Sequence, residues 1–257
     1  MLNRITLVNL EFYYNFYIKL KIRNYMKKVL FVLPSHDQLG NTGKKTGFWL
    51  EEFASPFYEF IDNGYDVTIA SPKGGQPPVD PKSNLEEWQT ESTRRFQKDK
   101  SAQEKLANTL VLSQVSASDH DALFLPGGHG PMWDLSVDKN LKKLVEDFYF
   151  GRKIVTAVCH GPAGLLQATD KDGNSILKDK KVTGFTNNEE VAVQLDKVVP
   201  FLLEDRMKEL GGKFEEGENF KPFVVSDGQL ITGQNPASSF LAAKKVIEIL
   251  ERNQDDD

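Results

Sequence analysis

The chain has 257 residues, of which 39% are hydrophobic and 27% are charged, and its formal net charge is −5. This composition is typical of a soluble globular protein with room for one large domain. The negative charge argues against nucleic acid as a partner. The single cysteine excludes an intramolecular disulfide and indicates the reducing cytoplasm. No apolar run reaches about 18 residues, so we expect no membrane-spanning helix and no membrane partner.

Residues 1–25 differ in character from the rest of the chain. They are rich in aromatic and basic residues, and they lack the compact apolar core and small-residue cleavage site of a secretory signal. We interpret them as an extension outside the domain, either a mis-assigned start or a loosely docked tail; a basic segment on a membrane surface is the alternative. The domain is expected to span residues 26–252, with a solvated acidic tail over residues 253–257.

The first half of the domain opens with a predicted βαβ unit. Apolar runs predict strands over residues 27–33 and 66–70. The helix between them is expected to be capped by Thr46 and to end near residue 63. A polar and mostly helical stretch, about residues 75–112, then interrupts the pattern, and we interpret it as an inserted flap.

The second half resumes the alternation of strands and helices. A strand over residues 121–125 and an amphipathic helix over residues 140–150 precede a buried strand over residues 154–158. The pattern then predicts a short strand (182–186), a helix (191–210), a hairpin (223–232) and a closing helix (237–252). Together these elements predict a doubly wound, mostly parallel α/β sheet that binds ligands at the carboxyl ends of its strands.

The most informative stretch surrounds the only cysteine. Cys159 and His160 follow a buried strand directly, and small residues flank them before a helix-like segment over residues 162–166. This spacing resembles the strand–turn–helix of a Gly-x-Ser-x-Gly nucleophile. The start of the following helix is expected to favour a thiolate at Cys159. Two alternatives stay open on these residues alone: an inert, buried cysteine and a His160 that faces solvent.

A glycine-rich turn follows the strand over residues 121–125. Gly128 in this turn can bring a backbone N–H close to a substrate oxygen, and with the N–H of His160 it would form an oxyanion hole. His129 in the same turn is interpreted as structural or substrate-lining. Four scattered histidines and one cysteine show no metal-ligand spacing, and no dinucleotide fingerprint is present, so we predict neither a metal nor a cofactor.

Two pairs of acids also lie near the carboxyl ends of predicted strands. Glu51 and Glu52 fall in one helix start, and Glu189 and Glu190 in another. Such carboxylates are ordinarily surface residues that stabilise a helix N-terminus. Their position on the side of the sheet that holds Cys159 makes one member of each pair a candidate for the site.

Four ordered motifs resemble those of the ThiJ/PfpI family, within the class I glutamine-amidotransferase-like superfamily. They are residues 125–130, 157–163, 183–190 and 232–239. Residues 45–52 and the flap resemble more narrowly the glutathione-independent glyoxalase III branch, whose members are also described as heat-shock chaperones. The resemblance covers about residues 26–250, and it implies a flavodoxin-like fold and a homodimer.

The resemblance also implies a role for each catalytic candidate. Cys159 matches the family's nucleophile, and His160 matches the histidine beside it. Glu190 matches the acid that orients this histidine, although Glu189 would replace it if the loop register differed. Glu52 matches the carboxyl that hydrogen-bonds the sulfur and carries protons.

The backbone N–H groups of Gly128 and His160 match the oxyanion donors of the family. Trp133 and Phe185 are expected to form the walls of a small pocket. No histidine follows residue 160, which argues against glutamine hydrolysis because the late His-x-Glu pair of the amidotransferases is missing.

The chemistry implied is conversion of an α-oxoaldehyde, methylglyoxal, to D-lactate. Cys159 would form a hemithioacetal, Glu52 or His160 would move a proton between the two carbons, and hydrolysis of a thioester would release the product. A protein deglycase, a holdase chaperone that uses the flap, a cysteine peptidase and a redox sensor are the alternatives.

Overall fold

The computed structural model describes residues 26–255. Residues 1–25 and 256–257 lie outside the described residues, and with them the interpretation of the N-terminal extension. Among the residues that are described, no helix has the length and apolar character needed to cross a bilayer.

A seven-stranded sheet forms the centre of the domain, and a two-stranded sheet lies apart from it. The strands are β1 Lys28–Val32, β2 Asp66–Ser71, β3 Leu110–Val111, β4 Ala122–Leu125, β5 Ile154–Val158, β6 Lys181–Val182, β7 Lys213–Phe214, β8 Val224–Asp227 and β9 Leu230–Gly233. The order in the main sheet is β3-β2-β1-β4-β5-β9-β8, and all its neighbours are parallel except the β8–β9 hairpin. The carboxyl ends of β1, β4 and β5 therefore meet at one edge, which confirms the predicted doubly wound architecture.

Seven α-helices accompany the strands in the described chain. They are α1 Leu50–Asp62, α2 Glu91–Lys98, α3 Lys100–Ala107, α4 Lys139–Phe150, α5 Asn187–Ala192, α6 Leu203–Glu209 and α7 Ser239–Asp255. Successive residues of β1 belong to different hydrophobic clusters: Phe31 packs with α1 and α7, whereas Leu30 packs with α4 and α6. Because side chains alternate along a strand, the two clusters are the cores on the two faces of the sheet. Burial on both faces explains why the central strands are apolar throughout.

The first predicted helix begins later than expected. Its N-cap residue is Trp49, and Thr46 instead donates a hydrogen bond from Oγ1 to Asp80 Oδ2 over 2.9 Å. The backbone N–H of Phe48 is likewise taken by the carbonyl of Pro78. These contacts hold the start of the flap against the entry to α1, so they replace the predicted cap.

The flap is helical only in part. Residues 81–88 form two 3₁₀ turns before α2 and α3. Its last residues extend the main sheet, because Leu110 and Val111 pair in parallel with Ala70 and Ser71 of β2. The sequence did not reveal this edge strand, since two residues are too few to show a strand period.

The prediction of one helix over residues 191–210 is wrong. The structure has the short helices α5 and α6, separated by turns over residues 193–202. Gln194 adopts a left-handed backbone conformation (φ 61°), which ends α5. Pro200 also disfavours a helical conformation at the residue before it.

The strand predicted over residues 182–186 is also shorter than expected. Only Lys181–Val182 forms a strand, and it pairs with β7 outside the main sheet. The chain then turns beneath the cysteine, where the Phe185 N–H donates to the Cys159 carbonyl over 2.9 Å. This contact draws residues 183–186 away from an extended strand and towards the site.

Candidate active site

Cys159 lies at the carboxyl end of β5 in a strained backbone conformation. Its φ is 57°, in the left-handed region that residues with a side chain rarely occupy. Two backbone hydrogen bonds hold it there: its N–H donates to Gly233, and its carbonyl accepts from Phe185, both over 2.9 Å. A 3₁₀ turn, Gly161–Leu165, follows at once. Strain of this kind persists only where the surrounding structure enforces it, and it is common at functional sites.

The glycine-rich turn after β4 packs directly against this cysteine. A Cβ on Gly127 would lie 2.6 Å from the backbone nitrogen of His160, and a Cβ on Gly128 would lie 2.4 Å from that of Trp49. Gly128 also has a φ of 87°, which favours glycine. The backbone N–H of Gly128 lies close enough to the Cys159 sulfur to oppose, in part, the rise in the pKa of the thiol.

Glu190 joins two histidines at the wall of the site. Its Oε2 lies 2.7 Å from Nε2 of His160, and its Oε1 lies 2.8 Å from Nε2 of His129. The two imidazole rings are 4.1 Å apart. His160 is fully buried, and its Nδ1 lies 3.4 Å from the Cys159 sulfur.

The charge of Glu190 determines the tautomer of both rings. Burial raises the pKa of Glu190, but His160 and His129 outweigh that effect and hold the pKa far below its ordinary value. An ionised carboxylate only accepts hydrogen bonds, so both rings donate from Nε2. Burial and the neighbouring His129 lower the pKa of His160. His160 is therefore neutral at neutral pH, and the lone pair on its Nδ1 faces the sulfur.

Glu52 approaches the cysteine from α1. Its carboxyl is wholly buried, its Oε2 accepts from the Gly127 N–H over 2.7 Å, and its Oε1 has no hydrogen-bond partner within the described residues. Burial raises the pKa of Glu52 to about 8, although the neighbouring Gly127 and Cys159 lower it in part. A carboxyl with this pKa is poised to exchange protons near neutral pH.

The resting cysteine is a thiol, in contrast to the thiolate expected from the sequence. Burial, and after it the adjoining carboxylate of Glu52, raise the pKa of Cys159 well above its ordinary value. The 3₁₀ turn that follows has only five residues, so its helix dipole is too small to offset the rise in the pKa of Cys159. Cys159 and Glu52 therefore both begin in their neutral forms near pH 7.

The structure separates the two acids that the sequence left unresolved. Glu190 contacts the histidines, whereas Glu189 lies in a different set of contacts. Glu189 closes a capping box with Thr186 at the start of α5. Its Oε1 also accepts from the Phe220 N–H over 2.7 Å and from Asn235 Nδ2 over 2.9 Å. Its hydrogen bonds hold the loops around the site.

The sequence predicted that Phe185 and Trp133 would both form walls of the pocket, but only Phe185 does. Phe185 packs on the ring of His160, with ring centres 4.4 Å apart, and it lines the cavity beside the cysteine. Trp133 does not line that cavity. It follows the 3₁₀ turn Gly130–Met132 and stacks on His36, with ring centres 5.1 Å apart.

The cavity above the cysteine has a volume of about 610 Å³. Trp49 and Trp88 line this cavity, whereas Trp133 does not. Neither Trp49 nor Trp88 was predicted from the sequence as a lining residue. The signal available for Trp88 was its isolation as a large aromatic residue in a polar flap. The cavity is also lined by Leu39, Lys44, Lys82, Val193, Leu195 and Phe220.

Three of the site residues have the donor types of a metal centre. The ligand atoms of His129, His160 and Glu190 lie within 4.8 Å of one another. Each histidine Nε2 already has an oxygen of Glu190 at hydrogen-bond distance, so a proton on each Nε2 satisfies both pairs. These contacts fit a hydrogen-bonded relay.

The fold and the site together define the class of α/β proteins that present a cysteine at a sharp turn after a central parallel strand. Comparison with known proteins identifies the family within that class. The family model described as DJ-1/PfpI matches residues 45–249, and the chain belongs to this family. This confirms the family that the sequence motifs indicated.

Several relatives of known name cover nearly the whole domain. The chain is 31% identical to a glutathione-independent glyoxalase of Saccharomyces cerevisiae, over 88% of this chain and 98% of that protein. It is 29% identical to the solved glyoxalase III of Candida albicans, with a TM-score of 0.79, covering 87% of this chain and 97% of the other. The solved Rapid Encystment Protein of Francisella tularensis is 40% identical, with a TM-score of 0.83, covering 86% of this chain and 97% of that one.

Proposed function

We propose that this chain is a glutathione-independent glyoxalase that converts methylglyoxal to D-lactate through a covalent adduct on Cys159. The observation that carries the proposal is that the buried thiol of Cys159 and the buried carboxyl of Glu52 line the same cavity and both adjoin Gly127, with the pKa of Glu52 raised to about 8. A nucleophile beside a proton carrier is what an internal proton transfer on a bound dicarbonyl requires. The relatives named as glutathione-independent glyoxalases support the same activity.

The first step is addition of the thiol to the aldehyde. The sulfur forms a bond to the aldehyde carbon while its proton passes to Nδ1 of His160, which lies 3.4 Å away. The charged imidazole is stabilised by Glu190. The proton then moves to the former carbonyl oxygen, and the backbone N–H groups of Gly128 and His160 would stabilise the charge that develops there. The product is a neutral hemithioacetal.

The second step is the proton transfer between the two carbons. Glu52 in its ionised form takes the proton from the carbon bonded to sulfur, and the hydroxyl proton on that carbon passes to the neighbouring oxygen, which leaves an enediolate. The same carboxyl returns the proton to the neighbouring carbon, and the adduct becomes a thioester of lactate. Because a single buried carboxyl protonates only one face of the enediolate, the new stereocentre forms in a single configuration, which we assign as D.

The third step is hydrolysis of the thioester. Water adds to the thioester carbon, the carbon–sulfur bond breaks, and the sulfur regains a proton. The net reaction of the three steps adds one water to methylglyoxal, and it oxidises the aldehyde carbon while it reduces the ketone carbon. The chemistry needs no external oxidant or reductant.

A holdase chaperone is a second candidate function, because the flap leaves two large apolar side chains in solvent. Leu85 is 46% exposed and Trp88 is 51% exposed. We further propose a role in stress response, a homodimer and a location in the cytoplasm, where a single buried cysteine would stay reduced. A deglycase would use the same cysteine on glycated amines and differs only in substrate.

The test of the proposed function is D-lactate formation from methylglyoxal without glutathione. The wild type is expected to turn over steadily, and the Cys159→Ala variant is expected to lose turnover while keeping the wild-type circular dichroism spectrum. Glycated amines as substrate and an aggregating client protein are measured in parallel. No turnover of methylglyoxal by a folded wild type, with protection of the client by Cys159→Ala, would shift the function to the holdase.

A further inference from the structure

The cavity above Cys159 is much larger than methylglyoxal. Its volume is about 610 Å³. The five heavy atoms of methylglyoxal fill roughly 150 Å³ when each is given a water's share of about 30 Å³. Cavities of several hundred Å³ are the size that encloses drug-sized ligands. Most of the space therefore lies beyond the reach of a three-carbon substrate that is bonded to the sulfur.

The unused part of the cavity is walled mainly by apolar side chains. We call it the outer chamber, and its residues come from the loop before α1, the flap, the turn after α5 and the segment before β8. Its apolar residues are Leu39, Trp49, Trp88, Val193, Leu195 and Phe220, and Lys44, Lys45, Asp80 and Lys82 also line the cavity. An apolar wall of this kind binds an apolar group by removing it from water.

Two aromatic pairs line the outer chamber. Trp49 and Trp88 meet edge to face, with ring centres 5.5 Å apart. Phe220 lies 6.3 Å from Phe185, whose ring in turn packs on His160. Aromatic surface is therefore continuous from the catalytic histidine to the outer chamber, and it offers stacking partners to an aromatic substituent.

The outer chamber exposes apolar surface that the fold does not cover. Trp88 is 51% exposed and Phe220 is 46% exposed, although both are large and apolar. Exposed apolar surface that is rimmed by polar groups is typical of a ligand site. Lys44 and Lys82 also line the cavity, and neither forms a salt bridge with another described residue. Their positive charge disfavours a cationic substituent, and burial among the apolar walls disfavours any charged one, so an uncharged apolar group is the best match.

We propose that this chain acts on α-oxoaldehydes whose ketone carbon carries an aromatic or bulky apolar group, with Trp88 and Phe220 as specificity residues. The inference rests on the proposed function, since the same thiol addition, proton transfer and hydrolysis would operate. The sulfur bonds to the aldehyde carbon, one proton moves to the former ketone carbon, and water releases the 2-hydroxy acid and the thiol. The substituent occupies the outer chamber throughout.

The test compares phenylglyoxal with methylglyoxal as substrates of the wild type and of two variants. We expect the wild type to have the higher kcat/KM with phenylglyoxal. Trp88→Ala and Phe220→Ala are each expected to lower the ratio of the two kcat/KM values by about tenfold, mainly through KM for phenylglyoxal, because an aromatic contact is lost. Phe240→Ala is the matched control, since Phe240 is 43% exposed and does not line the cavity.

The outcomes separate the two proposals. Equal losses with both substrates would point to a structural role of the two aromatic residues and would overturn the inference. Turnover of methylglyoxal without turnover of phenylglyoxal would also overturn it, and the proposed function would stand. No turnover of either substrate by the folded wild type would overturn the proposed function itself. The Cys159→Ala variant, measured alongside, gives the non-enzymatic loss of phenylglyoxal, and this loss is subtracted.

Discussion

His160 donates its Nε2–H to Glu190 over 2.7 Å, and this hydrogen bond decides which ring nitrogen faces Cys159. A carboxylate can only accept, so Nδ1 of His160 keeps its lone pair towards the thiol. The pair thus prepares a base for the first step of catalysis before any substrate arrives.

Replacement of Glu190 by glutamine is expected to lower kcat/KM for methylglyoxal by about 10²–10⁴-fold. The amide can donate to Nε2, which favours the tautomer with a proton on Nδ1 and removes the base that faces the sulfur. Steady-state kinetics measures the loss. A Glu190→Gln enzyme with nearly wild-type kcat/KM would show that the proton of the thiol leaves by another route.

The matched control for that variant is Glu189→Gln, at the preceding residue. The Glu189 carboxylate accepts hydrogen bonds from Thr186, Phe220 and Asn235 and forms none with His160. We expect a loss of about 1–3 kcal/mol in the free energy of unfolding, with a much smaller loss of kcat/KM than Glu190→Gln causes. Denaturant unfolding and kinetics on the same preparations separate the two effects.

The pH dependence of activity is expected to follow the ionisation of Glu52. Its raised pKa of about 8 means that the carboxyl is mostly protonated at neutral pH and becomes the base only as pH rises. kcat/KM should therefore increase about tenfold per pH unit below this pKa and level off above it. The Glu52→Gln variant should be nearly inactive and should lack this inflection. An inflection at the same pH in Glu52→Gln would assign the titration to another group.

The same shift predicts how stability depends on pH. The pKa of Glu52 is raised from an ordinary 4.5 in the unfolded chain to about 8 in the folded one. Between these values the folded state binds the proton more tightly, so this contribution to stability is complete below 4.5 and is lost as pH rises towards 8. Glu52→Gln should lack this decline, which is on the order of several kcal/mol. Denaturant unfolding of both proteins at about pH 5 and about pH 8 measures the difference.

Substitution of Gly128 by alanine is expected to remove activity as well as stability. A Cβ there would meet the backbone nitrogen of Trp49 at 2.4 Å, so the turn must move and carry its N–H donor away from the sulfur. Loss of one oxyanion donor typically lowers kcat by about 10²–10³-fold. Gly64→Ala is the control for backbone strain alone, because Gly64 has a φ of 82° with nothing within 4 Å of a new Cβ. That variant should lose about 1–2 kcal/mol of stability and keep wild-type kinetics.

Local patterns made part of the site predictable. Cys159 and His160 adjoin a run of buried, β-branched residues, and the small residues after them indicate a sharp turn. Gly128 could be identified for the same reason, since it follows a second buried strand directly. In a parallel sheet, the carboxyl ends of neighbouring strands meet at one edge, so these residues were expected to come together without knowledge of any contact.

The choice between Glu189 and Glu190 could not be made in this way. Consecutive residues at a helix start point about 100° apart, so only the packing of the loops shows which one reaches a given neighbour. The capping box with Thr186 and the donors from Phe220 and Asn235 occupy Glu189, and Glu190 is left to face the histidines. The position of Trp133 outside the cavity could not be predicted for the same reason, because a single aromatic residue in the sequence does not show which surface it will line.

The sequence by itself determined the parallel α/β fold, the cysteine turn and the family, because these depend on the period of apolar residues and on contiguous motifs. Only the tertiary structure decided the protonation state of the site. The pKa values of Cys159, Glu52 and Glu190 depend on burial and on partners that lie far away in the chain. The outer chamber likewise exists only because the flap and the segment before β8 are brought together in space. Desolvation and charge act over a few ångströms in three dimensions, and residue spacing along the chain does not encode those distances.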